Sequence, residues 1–329
     1  MNWTGTKTLV TGAGGFIGSH VCEELVRRGS DVTAFVRYTS RGDPGLLRLL
    51  DPSVRRSLRI VAGDLRDQEA VRAAMRGQQV VLHLGALIAI PYSYVHPTEV
   101  AQVNILGTLN VLNAARDLGV TRVVHTSTSE VYGTARFVPI SEEHPFQPQS
   151  PYSASKIGAD ALALSYHMAF GLPVSILRPF NTYGPRQSGR AVIPTIIGQV
   201  LYADKIQLGS LNPTRDFTFV TDTVAGFLAV AENDKSVGQA LNIGHGQEIS
   251  VGDLAKRIMA RIGKQMPIIA ADERLRPERS EVFRLCSDAA KARQILGWQP
   301  RVSLDKGLDK VIAFMRDHPD WTKVDRYEV

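Results

Sequence analysis

Tyr152 and Lys156 form a pair whose residue types and spacing suit proton transfer. They lie at the start of a predicted helix, so both side chains project from one face, a turn apart. A free tyrosine has a pKa of about 10 and is a poor base at neutral pH. A lysine cation one turn away favours the phenolate, which can remove a proton from a hydroxyl group. The spacing alone is a weak signal, because any helix can contain it.

A glycine-rich string, Thr11 to Gly18, lies close to the start of the chain. It follows a strand-like run and opens a helical pattern, which is the context in which such a string binds a dinucleotide. Gly12 permits a tight turn, Gly15 lets a pyrophosphate approach the helix N-terminus, and Gly18 allows close packing of the helix on the strand. A plain strand–helix turn is the alternative. We expect NAD or NADP here, whose nicotinamide would accept hydride and favour the tyrosine phenolate.

The remaining cofactor contacts are expected at the ends of the predicted strands. The second strand often ends in an acid that binds the adenosine ribose, but here no acid occurs before Asp43. Arg37 and Ser40 offer a site for a 2′-phosphate instead, which favours NADP over NAD, although they are otherwise solvated loop residues. Asp64 is placed to meet the adenine, unless it is an ordinary turn residue. The other predicted cofactor contacts are Phe16, Ile17, Leu65, Leu84, Lys156 and Pro179.

Strand-like apolar runs alternate with helical stretches as far as Arg178. The predicted strands are Thr8–Val10, Val32–Val36, Leu58–Ala62, Val80–Leu84, Arg122–His125 and Val174–Leu177, and the longer predicted helices are Phe16–Arg28, Val100–Leu118 and Tyr152–Phe170. This alternation predicts an α/β fold with a Rossmann-type doubly wound parallel sheet. Turn signals then cluster, which indicates a smaller C-terminal substrate-binding α/β domain. We expect a dinucleotide-binding domain over 1–180 and a mainly substrate-binding domain over 181–329, with segments at about 215–245 returning to the first domain.

Composition excludes several classes of protein. The 329 residues are 44% hydrophobic and 21% charged, as is typical of a globular protein. The net charge of +6 suits an anionic small substrate and does not require nucleic acid. Two cysteines cannot form a disulfide framework, and there is no signal peptide or apolar window of about 18 residues. We therefore expect a cytoplasmic protein with no membrane partner, and, without metal-ligand spacing of His or Cys, no metal site.

Several motifs occur in order along the chain, and together they resemble the extended short-chain dehydrogenase/reductase family of NAD-dependent epimerases and dehydratases. Besides the glycine loop and the tyrosine–lysine pair, they are Asn104, Ser127-Thr128-Ser129-Glu130-Val131-Tyr132-Gly133, the string 178–186, Arg215-Asp216-Phe217 and Leu296-Gly297-Trp298. The resemblance covers nearly the whole chain. It implies action on a nucleotide-diphosphate sugar.

The resemblance implies a role for each catalytic residue. Thr128 matches the residue that hydrogen-bonds the sugar C4 hydroxyl, Tyr152 the base, and Lys156 its partner, which also binds the nicotinamide ribose. Ser129 and Glu130 match the positions where 4,6-dehydratases carry an acid pair or Ser-Glu. After oxidation at C4, Glu130 would remove the C5 proton, and the C6 hydroxyl would leave as water, protonated by Glu130 or through Ser129. Alternatively, Glu130 only orients a helix or loop.

Other reactions stay open at this point. UDP-glucuronate decarboxylases share the Thr-Ser-Glu-Val-Tyr-Gly string, so Glu130 does not by itself select dehydration. A nucleotide-sugar 4-epimerase is a further alternative. A non-catalytic dinucleotide sensor is the remote one, since a sensor would not need Thr128, Tyr152 and Lys156 together.

The strings 86–94, 151–160 and 190–195 look most like 4,6-dehydratases of legionaminic-acid-type pathways, which implies an NDP-N-acetylglucosamine or another NDP-hexose. The predicted substrate-binding residues are Ile88, Tyr92, Asn181, Val192, Arg215 and Arg276. Arginine suits a diphosphate because its planar fork binds phosphate oxygens in pairs. Simple packing of the apolar loop 87–90 and solvated arginines are the alternatives. The helices 100–118 and 152–170 resemble the pair that forms a homodimer interface in this family.

Overall fold

The computed structural model of the chain describes residues 1–275 and 277–321. Its strands are β1 Lys7–Thr11, β2 Asp31–Arg37, β3 Leu58–Gly63, β4 Val80–His83, β5 Arg122–Thr126, β6 Val174–Pro179, β7 Asn181–Tyr183, β8 Ile206–Leu208, β9 Thr214–Phe219, β10 Ala240–Ile243, β11 Glu248–Ser250 and β12 Ile268–Ala270. Its helices are α1 Phe16–Arg27, α2 Pro52–Arg56, α3 Gln68–Met75, α4 Ile90–Val95, α5 Pro97–Ala101, α6 Gly107–Asp117, α7 Pro151–Phe170, α8 Val192–Tyr202, α9 Val220–Glu232, α10 Val251–Ile262, α11 Ala290–Leu296 and α12 Leu304–Asp317.

The six predicted strands, with β10 beside β6, form one parallel sheet in the order β10-β6-β5-β4-β1-β2-β3. This confirms the predicted Rossmann-type fold. β1 and β4 are neighbours although β2 and β3 lie between them in the chain. The order therefore reverses at β1, and a crevice opens there at the carboxyl ends of the strands, where α/β sheets bind their ligands.

Helices cover both faces of this sheet. α1 and α9 pack together on one face, and α3, α6 and α7 pack on the other. Central strands are therefore shielded from water on both sides, and β4 is buried at every position. This is why the strands read as nearly continuous apolar runs in the sequence.

The chain beyond β6 builds smaller units beside the sheet. β9 pairs in parallel with β7 and antiparallel with β11, and β8 pairs in parallel with β12. α8, α10 and α12 pack against one another. β10 joins the main sheet beside β6. Among the described residues, no helix has both the length and the apolarity to cross a lipid bilayer.

Two regions near the crevice differ from the predicted elements. The apolar loop predicted over 87–90 runs into α4, which begins at Ile90 and tolerates Pro91 in its first turn because that N–H has no helical partner. The helix predicted from Val100 begins earlier, at Pro97, and contains a π-helical turn, Gln102–Leu106. A π turn inserts an extra residue, and such turns often occur at functional sites.

Candidate active site

A cavity of about 1130 Å³ lies in the crevice. Its walls come from the glycine loop after β1, the carboxyl ends of β2, β4, β5 and β6, the first turn of α7, and the elements β7, α8 and β9. Pockets for one small ligand span about 300–1,000 Å³. This cavity is larger, and suits a cofactor and a substrate side by side.

The glycine loop forms a backbone cradle at one side of the cavity. A Cβ atom on Gly18 would lie 2.2 Å from the Gly12 carbonyl oxygen, and one on Gly12 would lie 2.7 Å from the Gly85 nitrogen. Gly12 also has a φ of 68°, in the left-handed region that favours glycine. The N-cap of α1 is Gly15, so no side chain caps the first N–H groups of the helix. Open N–H groups at a helix N-terminus fit a dinucleotide pyrophosphate.

The predicted cofactor contacts that line the cavity are Gly12, Gly15, Phe16, Ile17, Gly18, Arg37, Leu84 and Pro179. Lys156, also predicted to bind the cofactor, is buried in α7 and does not line the cavity. Three further predicted contacts, near the ends of strands, lie outside its wall. Ser40 is exposed in the loop after β2, Asp64 pairs with Arg66 at 2.6 Å, and Leu65 is buried in the core. The sequence could place these residues near the ends of strands, but not the direction of their side chains.

α7 begins at the cavity wall and carries Tyr152 in its first turn. The Ser150 hydroxyl accepts a hydrogen bond from Ser153 N at 3.1 Å, and the Ser153 hydroxyl accepts one from Ser150 N at 3.0 Å. This reciprocal cap fixes where the helix begins, and hence where Tyr152 and Lys156 project. Both are buried, and Tyr152 lines the cavity.

Thr128, Ser129 and Glu130 follow β5 and line the same cavity as Tyr152. Thr128 is the N-cap of a short 3-10 turn, Ser129–Tyr132, and its hydroxyl accepts a hydrogen bond from Glu130 N at 3.2 Å. The structure thus brings together the hydroxyl, carboxyl and phenol groups that the sequence singled out.

The electrostatics of the pair depend on burial. Burial raises the pKa of Tyr152, and the hydrogen bond with Thr128 opposes this rise. Burial lowers the pKa of Lys156 to about 8, and the carboxylate of Asp160 opposes this fall. Tyr152 therefore needs a positive charge close by to act as a base near neutral pH, and Lys156, one turn further along α7, is the residue expected to supply it.

Asp160 is a site residue that the sequence analysis missed. It is fully buried one turn beyond Lys156, and it accepts hydrogen bonds from the Ser127 hydroxyl at 2.8 Å and from Arg178 Nε and Nη2 at 3.2 and 3.1 Å. His125 Nε2 lies 3.2 Å from its other oxygen. Although burial alone would raise the pKa of Asp160, the contacts with His125 and Arg178 hold it below its usual value. The helical spacing from Lys156 was the signal that could have found it.

Asn104 links the edge of the cavity to the start of α7. It lies in the π-helical turn, accepts a hydrogen bond from Leu87 N at 2.8 Å, and donates to Leu87 O and Ser155 Oγ at 2.9 Å each. The Ser155 hydroxyl in turn donates to Tyr152 O at 2.7 Å. The buried amide of Asn104 therefore connects the segment at Leu87 with the start of α7.

Four predicted substrate contacts line the cavity: Ile88, Asn181, Val192 and Arg215. Arg215 Nη1 donates to Thr214 O at 2.9 Å, and Nη2 lies 3.4 Å from Glu281 Oε1. The sixth predicted contact, Arg276, lies outside the described residues.

Tyr92 is not brought to the cavity, contrary to the expectation that it binds sugar hydroxyls. Its hydroxyl donates instead to Glu99 Oε2 at 2.5 Å. The reason is the helix α4, which the sequence analysis treated as a loop: its geometry aims Tyr92 at α5 and places Tyr94 in the cavity wall.

Two polar atoms in the cavity wall have unsatisfied hydrogen-bonding capacity. Thr126 Oγ1 and Asn181 Oδ1 are buried and have no hydrogen-bond partner among the described residues. Leaving a buried polar group unsatisfied costs about 1–3 kcal/mol. A bound ligand with hydroxyl or amide groups would remove that cost.

The sheet, the glycine cradle and the Thr128, Tyr152 and Lys156 set define a dinucleotide-dependent protein of the short-chain dehydrogenase/reductase class. Within this class, a family model described as GDP-mannose 4,6 dehydratase matches residues 9–311, and the chain belongs to this family.

Relatives in this family include both epimerases and dehydratases. The chain is 35% identical over 319 residues to a UDP-glucose 4-epimerase of Mycolicibacterium smegmatis, covering 94% of this chain and 99% of that one. It is 33% identical over 321 residues to a dTDP-glucose 4,6-dehydratase of Streptomyces griseus, covering 96% of each. The crystal structure of DesIV, a dTDP-glucose 4,6-dehydratase of Streptomyces venezuelae with NAD bound, matches with a TM-score of 0.86 and 30% identity over 96% of this chain and 98% of that chain. Similarity therefore identifies the family but does not distinguish epimerisation from dehydration, which must be argued from the residues of the site.

Proposed function

We propose that the protein is a nucleotide-sugar 4,6-dehydratase that recycles a bound nicotinamide dinucleotide. The observation that carries this proposal is the Glu130 carboxyl group in the cavity wall, in the turn that Thr128 caps and close enough to Tyr152 to affect its pKa. Elimination of water across C5 and C6 needs a second proton acceptor besides the base at C4. A 4-epimerase, which works at C4 alone, has no use for one.

Different residues of this chain would carry out the successive proton transfers. A nicotinamide dinucleotide held by the loop of Gly12, Gly15 and Gly18 would supply the hydride acceptor for C4 of the sugar and the hydride donor for C6. Tyr152 takes the proton of the C4 hydroxyl, which Thr128 orients. The C4 ketone acidifies the C5–H bond, Glu130 removes that proton, and the C6 hydroxyl leaves as water with it, directly or through Ser129. Tyr152 gains one proton from the C4 hydroxyl, and C5 regains one proton after the elimination. These two transfers cancel, so the net change is the loss of one water.

The substrate we propose is a nucleoside-diphosphate hexose, with N-acetylglucosamine as the favoured sugar. Ile88 and Val192 offer apolar surface for the ring, and the unpartnered Asn181 Oδ1 can accept from a hydroxyl or amide group. Arg215 lies in the same wall, where its guanidinium suits a diphosphate.

A 4-epimerase is the second candidate. The 35% identity to the mycobacterial UDP-glucose 4-epimerase, over nearly the full length of both chains, favours it. Under that reading Tyr152 and Thr128 keep their roles, and Glu130 only supports the turn.

We further propose that the protein forms a homodimer through α6 and α7. These helices pack side by side, and the outward face of α7 exposes Ala154, Ala161 and Met168. Met168 is 83% exposed, which is unusual for a large apolar side chain unless a partner covers it.

We propose the cytoplasm as its compartment. Cys22 and Cys286 are both free thiols, and Cys22 is buried. Free thiols of this kind persist in reducing surroundings.

The substitution Glu130→Gln separates the two candidate reactions. Removing the C5 base should slow dehydration by about 10²- to 10⁴-fold while C4 oxidation persists, so absorbance of the reduced nicotinamide should rise transiently in stopped-flow measurements. The matched variant Tyr152→Phe should lose the oxidation as well. Normal dehydration by Glu130→Gln would show that Glu130 is not the base, and unchanged C4 inversion would favour the epimerase.

A further inference from the structure

Arg37 ends β2 and lines the cavity where the second strand of a dinucleotide-binding fold usually meets the adenosine ribose, and it is already paired. Its Nη2 lies 3.5 Å from Glu99 Oε1, and the side chains are 65% and 25% exposed. Glu99 lies on α5, and the Tyr92 hydroxyl donates to its other oxygen at 2.5 Å. The carboxylate is therefore held against Arg37 by a residue of a third element, α4.

A second ion pair lies beside the first. Arg66 Nη2 and Asp64 Oδ2 are 2.6 Å apart. The charge of Arg37 helps to lower the pKa of Asp64, and the charge of Arg66 helps to lower the pKa of Glu99. The cluster thus contains two cations and two carboxylates, and its net charge is zero. The expectation of NADP treated Arg37 as an uncommitted cation, because sequence alone does not show that α5 brings an acid to it.

NAD and NADP differ at the 2′ position of the adenosine ribose, which the end of the second strand binds in folds of this type. NAD presents a neutral 2′-hydroxyl, which can form hydrogen bonds without disturbing the ion pairs. NADP presents a 2′-phosphate, and a phosphate monoester carries a charge of about −1.5 to −2 at neutral pH. Such a group would compete with Glu99 for Arg37 and would be repelled by both carboxylates.

We propose that Glu99 is a specificity-determining residue that favours NAD over NADP by neutralising Arg37. The inference rests on the proposed function to the extent that a dinucleotide occupies the cavity. Hydrogen bonding from Tyr92, with the charge of Arg37, lowers the pKa of Glu99, so its carboxylate is ionised at neutral pH. Since Arg37 is largely exposed, the effect of the pair is moderate, about fivefold in affinity.

Binding of NAD and NADP, measured by calorimetry without any sugar, tests this proposal. Glu99→Gln should strengthen NADP binding relative to NAD by about fivefold. Adding Arg37→Ala to that variant should remove the gain. Asp117→Asn is the matched control, because it removes an exposed carboxylate that pairs with Arg72 and Arg116 outside the cavity wall. It should leave the ratio of the two affinities unchanged.

The inference and the proposed function fail in different ways. A ratio that does not move in Glu99→Gln, an equal gain in Asp117→Asn, or a wild-type preference for NADP would overturn the role of Glu99. A protein that binds NAD and shows the Glu99 effect, yet converts no nucleotide sugar, would overturn the proposed function and leave this inference standing. Binding of neither dinucleotide would overturn both.

Discussion

The charge on Lys156 depends on a carboxylate that lines no part of the cavity. Asp160 lies one turn further along α7 and raises the pKa of Lys156 against the effect of burial. Ser127 and Arg178 hold Asp160 in place through hydrogen bonds of 2.8 to 3.2 Å. Because Tyr152 ionises only beside a positive charge, we regard Asp160 as a positioning residue for the base.

The substitution Asp160→Asn should change the pH dependence of turnover. Loss of the carboxylate lowers the pKa of Lys156 below about 8, so Lys156 loses its proton at a lower pH. The alkaline limb of kcat against pH should therefore move down by about one pH unit or more. A profile of kcat over pH 6–10 measures this directly, with thermal melting to show that the variant is folded.

Tyr132→Phe is the control for that experiment. The Tyr132 hydroxyl accepts a hydrogen bond from Arg178 Nη1 at 2.9 Å, so the variant disturbs the same buried cluster without changing a charge. Its alkaline limb should stay in place. An unmoved limb in Asp160→Asn, or an equal shift in both variants, would show that the charge of Asp160 does not control Lys156.

At the residue scale, the sequence predicts those side-chain pairs that local spacing alone determines. Tyr152 and Lys156 share a helix face whatever the tertiary structure, so their pairing could be read from the sequence. Tyr92 could not be placed, because its direction depends on where α4 begins. The pairing of Arg37 with Glu99 joins residues 62 positions apart, and no local pattern records it.

At the scale of elements, the turn from β1 into α1 has almost no free space. Gly18 faces the Gly12 carbonyl oxygen so closely that any Cβ atom would displace the loop. The position of the uncapped N–H groups of α1 depends on this close approach. The cradle is therefore a property of the two elements together.

Gly18→Ala should weaken dinucleotide binding by at least about tenfold, since a Cβ atom 2.2 Å from backbone oxygen must shift the loop out of place. Calorimetric titration with NAD provides the measurement. Gly252→Ala, in α10, is the control, because that Cβ would meet the Leu211 side chain at 3.5 Å, an ordinary van der Waals contact. Equal affinities for the wild type and Gly18→Ala would contradict the assignment of the cradle.

The first six strands were predicted well and the shortest strands were not. Strands buried on both faces give apolar runs that stand out in the sequence, and β1 to β6 all lie where they were expected. β7, β8, β11 and β12 have three residues each, too few to show a period.

At the scale of the whole molecule, the cavity is assembled from segments far apart in the chain. Residues from the glycine loop to Glu281 contribute to its wall. The sequence indicates which segments build the parallel sheet, but the rest of the cavity wall depends on how β7, α8 and β9 pack beside that sheet. Arg215 was therefore expected from a resemblance to known proteins and not from its local surroundings.

The proposed dimer makes a prediction at this scale. Met168→Glu places a charge on the exposed face of α7, so the mass measured by light scattering should fall from that of a dimer toward that of a monomer. Phe283→Glu is the matched control, since Phe283 is also exposed and lies outside this face. A wild-type protein that is monomeric at micromolar concentration would contradict the proposal.

The most direct measurement of the central claim is the mass of the product. Purified protein is incubated with UDP-N-acetylglucosamine, GDP-N-acetylglucosamine, GDP-mannose, dTDP-glucose and UDP-glucuronate, and each mixture is read by mass spectrometry. The account predicts that one hexose donor loses the mass of one water with no net consumption of dinucleotide. Loss of carbon dioxide from UDP-glucuronate, or inversion at C4 without a change in mass, would contradict it.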